Sequence, residues 1–197
     1  MSNTRANFPR TLLTPVVALA ALSFTPSAEA GMSVVFDFRQ QAEVDRWYAV
    51  NDDVMGGISQ GNFSLVEPGE ALFSGTLSLE NNGGFSTVRS RARSWSELDG
   101  NAGLSIKVKG DGRTYSFFVQ TSKQQDVLVY EVPFKTVAGE WITLDFGFEL
   151  FRVNYMGWNP SGYQALEPRK IQKFGFMLND GQQGPFALEV DWIATYW

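Results

Sequence analysis

Hydrophobic and polar residues alternate in short segments along most of the chain after residue 31. Residues 71–79 read A-L-F-S-G-T-L-S-L and residues 104–109 read L-S-I-K-V-K, so in both segments one side of an extended chain is mainly hydrophobic. A period of two residues is that of a β-strand with one buried face. The same pattern, or a run rich in β-branched and aromatic residues, predicts nine or ten strands, at residues 34–38, 62–66, 71–79, 85–91, 104–109, 114–120, 127–132, 141–148, 171–178 and 186–196.

Helical patterns are scarce in the sequence. We find no amphipathic segment of three turns, and only residues 40–48 and a turn at residues 94–98 suggest helix. Turn-forming residues separate the strands at close intervals, as in E-P-G-E at 67–70, N-N-G-G at 81–84 and G-D-G-R at 110–113. Many short strands with close turns and no internal repeat predict an all-β fold, a β-sandwich.

The first 30 residues have the pattern of a cleaved secretory signal peptide. Arg5 and Arg10 precede a hydrophobic run at residues 11–24, and an A-x-A site ends at Ala30. The run is shorter than the ~20 residues of a membrane span, so no transmembrane anchor is expected. We therefore predict a signal peptide at residues 1–30, a single domain at residues 31–197, and an exported protein that is periplasmic or secreted. A mitochondrial transit peptide is the alternative, because residues 1–28 hold two Arg and no acidic residue.

The composition excludes several classes of function. The chain carries a net charge of −5 and has no run of basic residues, which argues against nucleic acid as a partner. It contains no Cys and no His, so it cannot form a disulfide, a Cys/His zinc site or a Ser-His-Asp triad. Enzymatic activity would have to rest on carboxylates, Tyr or Lys, and we expect neither catalysis nor a cofactor.

The loop around residues 51–57, N-D-D-V-M-G-G, combines side-chain acceptors with two glycines. Asn and Asp form turns with their own backbone, and glycine allows positive φ and close approach of another chain segment. This composition favours a shaped recognition loop over a simple connection, although a long hairpin loop with self-satisfied Asx turns has the same composition.

Charged residues near this loop allow several interpretations. Asp52 and Asp53 are adjacent and point to opposite sides of an extended chain, so they are not a catalytic pair by themselves. With Asn81 or Asn82 they offer oxygens to calcium, but their spacing matches no known calcium loop. Arg89, Arg91 and Arg113 are expected to form internal ion pairs, with Asp52 or Asp53 as partners, or to present a polar platform to a carboxylate or a sugar.

Several motifs in the sequence resemble the CIA30 family, that of the complex I intermediate-associated protein 30. They are W-x-x-x-N-D-D-V-M-G-G-I-S-Q-G from Trp47, F-S-G at 73–75, N-N-G-G-F-S at 81–86, G-D-G-R-T-Y at 110–115 and G-P-F at 184–186. The resemblance covers residues 34–196 and implies a galactose-binding-like jelly-roll β-sandwich. It also implies a non-catalytic role, that of a chaperone-like assembly factor that binds protein partners such as intermediates of a respiratory complex.

On this basis the loops at 51–57, 82–85 and 110–113 are expected to lie at one end of the sandwich and to bind a protein partner. Asp52 and Asp53 would accept hydrogen bonds, Met55 and Phe85 would offer apolar contact, and Arg113 would meet a carboxylate. Alanine at Asp52 and Asp53 is expected to weaken binding with little loss of stability. The alternative is an exported carbohydrate-binding module that uses Trp158 and Tyr163. The predicted binding residues are Asn51, Asp52, Asp53, Met55, Gly56, Gly57, Asn82, Gly84, Phe85, Arg89, Asp111, Arg113 and Tyr115.

Overall fold

The structure is a computed structural model that describes residues 31–66, 69–122, 128–155, 158, 162 and 164–197. The predicted signal segment, residues 1–30, lies outside the described residues, so its removal stays a prediction.

The described residues form twelve β-strands and little helix. One four-residue helix, α1 (Gln41–Val44), and five 3₁₀ turns complete the secondary structure of this part of the chain. The strands are β1 (Met32–Asp37), β2 (Trp47–Asn51), β3 (Gln60–Val66), β4 (Glu70–Leu77), β5 (Ser86–Ser90), β6 (Gly103–Gly110), β7 (Thr114–Gln120), β8 (Leu128–Lys135), β9 (Trp141–Gly147), β10 (Arg152–Tyr155), β11 (Lys173–Leu178) and β12 (Gly184–Tyr196).

The strands form two antiparallel sheets. Sheet A has the order β3-β4-β12-β6-β9, and β1 also pairs with β12. On β12, residues 184–190 pair with β4 and residues 192–196 pair with β1, so β1 and β4 lie end to end along the same edge. Sheet B has the order β10-β8-β7-β11-β5-β2. The predicted all-β sandwich is confirmed.

Aromatic residues fill the space between the sheets, as their number in the sequence suggests. The ring of Phe117 lies 5.3 Å from that of Phe176 and 6.0 Å from those of Phe146 and Phe151. The Phe36 ring lies 5.2 Å from Trp47 and 5.5 Å from Phe174. Ring pairs at these separations stabilise a core beyond the burial of their surface.

The sequence pattern did not predict strands β2 and β10. Of the helix suggested at 40–48, only Gln41–Val44 is helical, and β2 begins at Trp47. Trp47 and Ala49 contribute to the core while Tyr48 and Val50 lie on the opposite side of β2. Trp47 pairs with Ser90 of β5, and this tertiary pairing overrides the weak helical preference of the segment. The turn at 110–113 carries the chain from sheet A to sheet B.

Candidate functional site

The three predicted binding loops lie at the same end of the sandwich, which we call the loop end. Strand pairing places Asn51 opposite Ser86 and Ser86 opposite Leu178 in sheet B. In sheet A, Leu77 lies opposite Gly184, and β6 reaches the same end at Gly110. The loops that follow β2, β4, β6 and β11 therefore share one end, as predicted.

Asp52 connects two of these loops through its buried carboxylate. Its Oδ1 accepts a hydrogen bond from the Ser59 backbone N–H at 2.8 Å. Its Oδ2 accepts hydrogen bonds from the Ser59 hydroxyl at 2.6 Å, the Gly84 N–H at 2.7 Å and the Phe85 N–H at 3.3 Å. The side chain is fully buried, so Asp52 fixes the 51–59 loop against the 78–85 loop.

The surroundings of Asp52 keep its carboxylate ionised and leave no room for a side chain at positions 57 and 83. Burial alone would raise the pKa of Asp52, but the hydrogen bonds from Ser59, Gly84 and Phe85 outweigh it and hold the pKa below the ordinary value. A Cβ added at Gly57 would lie 2.4 Å from Asp52 Cγ, and one at Gly83 would lie 2.5 Å from Oδ2. The glycines of the N-D-D-V-M-G-G and N-N-G-G motifs thus allow both loops to close around one carboxylate.

Other residues of the two loops also hold the backbone. Asn51 accepts a hydrogen bond from the Ser86 hydroxyl at 2.7 Å and donates to the Gly61 carbonyl at 3.3 Å. Gly56 and Asn82 adopt left-handed conformations, with φ of 91° and 59°, that glycine and asparagine tolerate. These contacts make the loops well-defined parts of the fold.

Four hydrophobic side chains project from this fixed framework into solvent. Val54 is 68% exposed, Met55 51%, Ile58 49% and Leu79 44%. The Ser59 hydroxyl accepts a hydrogen bond from the Ser78 N–H at 2.9 Å. Ile58, which precedes Ser59, and Leu79, which follows Ser78, therefore lie on neighbouring segments. We call Val54, Met55, Ile58 and Leu79 the apolar loop surface.

Met55 was predicted from the sequence as an apolar contact, whereas Val54, Ile58 and Leu79 were not. For Ile58 the available signal was a hydrophobic residue beside a turn glycine, whereas Leu79 ends the alternating segment 71–79 and gave no such signal. Asp53 and Glu80 are exposed beside this surface and give it an acidic border. Phe85, the other predicted apolar contact, is only partly exposed.

The third loop is held by Arg113 and Asp111. Arg113 pairs with Asp180, with Nη2 2.6 Å from Oδ1 and Nε 3.0 Å from Oδ2, and it also donates to the carbonyls of Gln182 and Pro185. Asp111 accepts hydrogen bonds from the Tyr115 hydroxyl at 3.1 Å and the Ala187 N–H at 2.9 Å.

The expected internal ion pair therefore exists for Arg113, but with Asp180 rather than Asp52 or Asp53. Burial alone would raise the pKa of Asp180, but the hydrogen bonds from Arg113 and from the Gln182 N–H, together with the charge of Arg113, hold the pKa below its ordinary value. Burial, together with Asp111, raises the pKa of the Tyr115 hydroxyl, so Tyr115 stays neutral. The predicted binding residues of this loop, Asp111, Arg113 and Tyr115, therefore form contacts within the fold.

Arg89 lies away from the loop end, on the outer face of sheet B. Its guanidinium lies 5.7 Å from the centre of the Phe118 ring, and Nε donates to the Thr87 hydroxyl at 3.3 Å. Burial lowers the pKa of Arg89. No ion pair joins Arg89 to Asp52 or Asp53, so the pairing considered from the sequence is wrong.

The remaining alternatives concern metals, sugars and membranes. The parts of the chain that the structure describes contain no cluster of three His, Cys, Asp or Glu able to hold a metal ion. Trp158 of the predicted carbohydrate site is 66% exposed, whereas Tyr163 lies outside the described residues. Among the described helices, none has the length and hydrophobicity needed to cross a membrane.

Comparison with known proteins gives matches in sequence and in structure. The family model described as "Complex I intermediate-associated protein 30 (CIA30)" matches residues 36–190. The chain is 28% identical to mitochondrial complex I intermediate-associated protein 30 of Mus musculus and 26% identical to that of Drosophila melanogaster. The alignments cover 83% and 82% of this chain but only 56% and 62% of those relatives.

Among solved structures, the chain is similar to a family 11 carbohydrate-binding module from Clostridium thermocellum, in complex with a β-1,3-1,4-mixed-linked tetrasaccharide. The TM-score is 0.63 at 18% identity, covering 85% of this chain and 96% of the module. The agarase AgWH50C matches with a TM-score of 0.57 at 10% identity, over 85% of this chain and 25% of the agarase. At such low identity these similarities concern the fold alone.

Proposed function

This chain belongs to the CIA30 family, and on that premise we propose that it is a non-enzymatic assembly factor that binds a protein partner through the apolar loop surface. The exposure of Val54, Met55, Ile58 and Leu79 on a fixed support carries this proposal. Clusters of exposed hydrophobic side chains with a polar border are typical of protein interaction sites.

The support beneath the apolar loop surface favours binding. The carboxylate of Asp52 and the hydroxyl of Ser59 hold both loops through buried hydrogen bonds, so the exposed side chains occupy defined positions before a partner arrives. A preorganised surface loses less conformational entropy on association than a flexible one. The hydrophobic residues supply the contact, and the residues beneath them supply its shape.

The relatives suggest the kind of partner. Their name connects them with intermediates of complex I, and we propose an intermediate of a membrane respiratory complex as the client of this chain. The chain spans only 56% and 62% of the length of these relatives, so the client is a proposal for this chain and not a property taken over from them.

Two observations bear on the place where the chain acts, and they point to different compartments. The relatives are named as mitochondrial proteins, whereas residues 1–30 have the pattern of a secretory signal. We propose export to the periplasm or beyond, with residues 31–197 as the single mature domain. An exported chain would meet its client on the outer side of the membrane.

Carbohydrate binding is the second candidate function. It is favoured by the exposed indole of Trp158 and by the fold shared with carbohydrate-binding modules. The shared fold is a weak argument, because one fold supports many unrelated functions. Membership of an assembly-factor family makes a protein partner the stronger proposal.

Substitution within the apolar loop surface tests the proposed function. A tagged Val54→Lys, Met55→Lys variant should recover at least about tenfold less complex I subunit than the wild type in a crosslinked pull-down from the native host, quantified by mass spectrometry. The reason is that lysine adds charge and solvation to the centre of the contact.

The matched control is Leu150→Lys, because Leu150 is 46% exposed and lies after β9, at the other end of the sandwich. This variant should recover the wild-type amount. Equal recovery of the client by all three proteins would rule out the apolar loop surface as the binding site, and recovery of the bait alone by the wild type would count against the assembly role.

A further inference from the structure

Arginines surround a cavity at the end of the sandwich opposite the loop end. The sequence of β5 and the segment after it reads R-S-R-A-R at residues 89–93. Arg91 and Arg93 of this run and Arg46, which precedes β2, line a cavity of about 270 Å³ together with Phe36, Ser90 and Trp95. None of the described residues that line the cavity carries a carboxylate, although the protein as a whole carries a net charge of −5.

The backbone places two of these arginines directly opposite each other. The pairing of Trp47 with Ser90 continues by one step, because the Arg91 N–H donates to the Arg46 carbonyl at 2.7 Å. Like charges that face each other across neighbouring strands destabilise a sheet. An anion between the two guanidinium groups would remove this cost.

Internal carboxylates neutralise the arginines only in part. Arg46 lies 3.1 Å from Glu43, and Arg93 lies 3.1 Å from Glu97. Both arginine side chains are more than half exposed, at 57% and 54%, and ion pairs at such positions contribute little. Arg91 forms no ion pair within the described parts of the chain.

Trp95 gives the cavity a rigid wall. It is only 2% exposed, and the guanidinium carbon of Arg93 lies 3.4 Å from the centre of its ring. This contact orients the Arg93 side chain. The indole Nε1 of Trp95 is buried and has no hydrogen-bond acceptor among the described residues.

From this arrangement we propose that the cavity formed by Arg46, Arg91, Arg93 and Trp95 binds a phosphate group. A phosphate monoester carries close to two negative charges and three acceptor oxygens, and guanidinium groups bind such oxygens with paired hydrogen bonds. The phosphate belongs either to a soluble phosphorylated molecule or to the headgroup of an anionic phospholipid. This site is separate from the apolar loop surface and does not depend on the proposed assembly role.

Thermal unfolding in the presence of inorganic phosphate tests the proposal directly. Phosphate should raise the melting temperature of the wild type relative to sodium chloride of equal ionic strength, because a ligand that binds only the folded state stabilises it. Arg91→Gln should bind phosphate about tenfold more weakly in a calorimetric titration. Without phosphate, the same variant should be at least as stable as the wild type, since it removes repulsion from Arg46.

Two further variants complete the test. Arg93→Gln should also weaken phosphate binding, whereas Lys135→Gln removes one exposed charge near the loop end and should leave it unchanged. Absence of any difference between phosphate and chloride for the wild type, together with no binding to phosphatidylglycerol vesicles, would overturn the proposal. Equal phosphate affinity of the wild type and Arg91→Gln would overturn it as well.

Vesicle sedimentation distinguishes the two sources of phosphate. Binding to phosphatidylglycerol vesicles that inorganic phosphate displaces, and that Arg91→Gln loses, identifies the lipid headgroup as the ligand. Binding of inorganic phosphate without sedimentation on either phosphatidylglycerol or phosphatidylcholine vesicles identifies a soluble phosphorylated molecule.

Discussion

At the scale of single residues, the adjacent acids Asp52 and Asp53 have opposite roles. Asp52 is fully buried and accepts four hydrogen bonds, whereas Asp53 is exposed beside the apolar loop surface. The sequence gives both residues the same chemistry. The difference arises because Asp52 alone points towards Ser59 and the loop containing Gly84, so it contributes to stability.

We therefore expect Asp52→Ala to lower the free energy of unfolding by about 3 kcal/mol, because buried donors of Ser59 and Gly84 lose a charged acceptor. Urea denaturation at neutral pH measures this change. Asp53→Ala should cause no measurable change and serves as the matched control. Equal unfolding midpoints for Asp52→Ala and the wild type would contradict the structural role, and would restore the expectation from the sequence that both acids serve binding alone.

The sequence could not assign these roles because the partners of Asp52 are distant along the chain. The N–H groups of Gly84 and Phe85 are 32 and 33 residues away. The loop was recognisable from its Asn, Asp and Gly composition, which reports local backbone preferences. The burial of one carboxylate, and the exposure of Val54, Ile58 and Leu79, depend on how two loops meet in the folded molecule.

At the scale of elements, the buried pair of Arg113 and Asp180 joins two connections at the loop end. Arg113 is the last residue of the turn between β6 and β7, and Asp180 lies between β11 and β12. Their side chains are only 10% and 5% exposed. Burial of a charge is costly unless its partner stays in place, so the two connections depend on each other.

Arg113→Met should therefore destabilise the protein by about 3–5 kcal/mol, because it leaves Asp180 buried without a counter-charge. The double variant Arg113→Met, Asp180→Leu should recover most of this loss, as measured by chemical denaturation. Arg39→Met, which removes an arginine from an exposed pair with Asp37, should leave the unfolding midpoint unchanged. A double variant no more stable than Arg113→Met would show that the contacts of Arg113 with backbone carbonyls dominate.

The success of strand prediction varied with the strength of the alternating pattern. Strands such as β4, β6 and β12 bury one face and were predicted within about two residues of their observed bounds. β10 is only four residues long, and β2 runs directly into the polar loop, so neither had a complete pattern of its own. The order of the strands in the sheets was not predictable, because pairing partners depend on the whole fold.

At the scale of the whole molecule, the two ends of the sandwich differ in chemistry. The loop end presents Val54, Met55, Ile58 and Leu79 with an acidic border, and the opposite end presents three arginines around a cavity. Both ends are accessible, and the aromatic core between the sheets fixes the distance between the two ends. One molecule could therefore hold a protein partner and a phosphate group at the same time.

The predicted processing site also belongs to this scale. Cleavage after Ala30 would leave Gly31 as the first residue, immediately before β1 begins at Met32, and would keep the hydrogen bond from the Trp197 N–H to the Gly31 carbonyl. Intact-mass analysis of the protein purified from its native host should give the mass of residues 31–197. A mass that retains residues 1–30, or a processing site inside β1, would contradict the proposed export.

Strand β12 has a consequence for the order of events during synthesis. It is 13 residues long and pairs with β1, β4 and β6, so sheet A lacks its central strand until residues 184–196 have been made. β1 is synthesised early but cannot pair until its partner β12 has been made. Sheet A is therefore a late, non-local product of folding. Sheet A thus stays incomplete until β12 has been translated, and in the proposed export an incomplete sheet would be easier to pass through a protein-conducting channel.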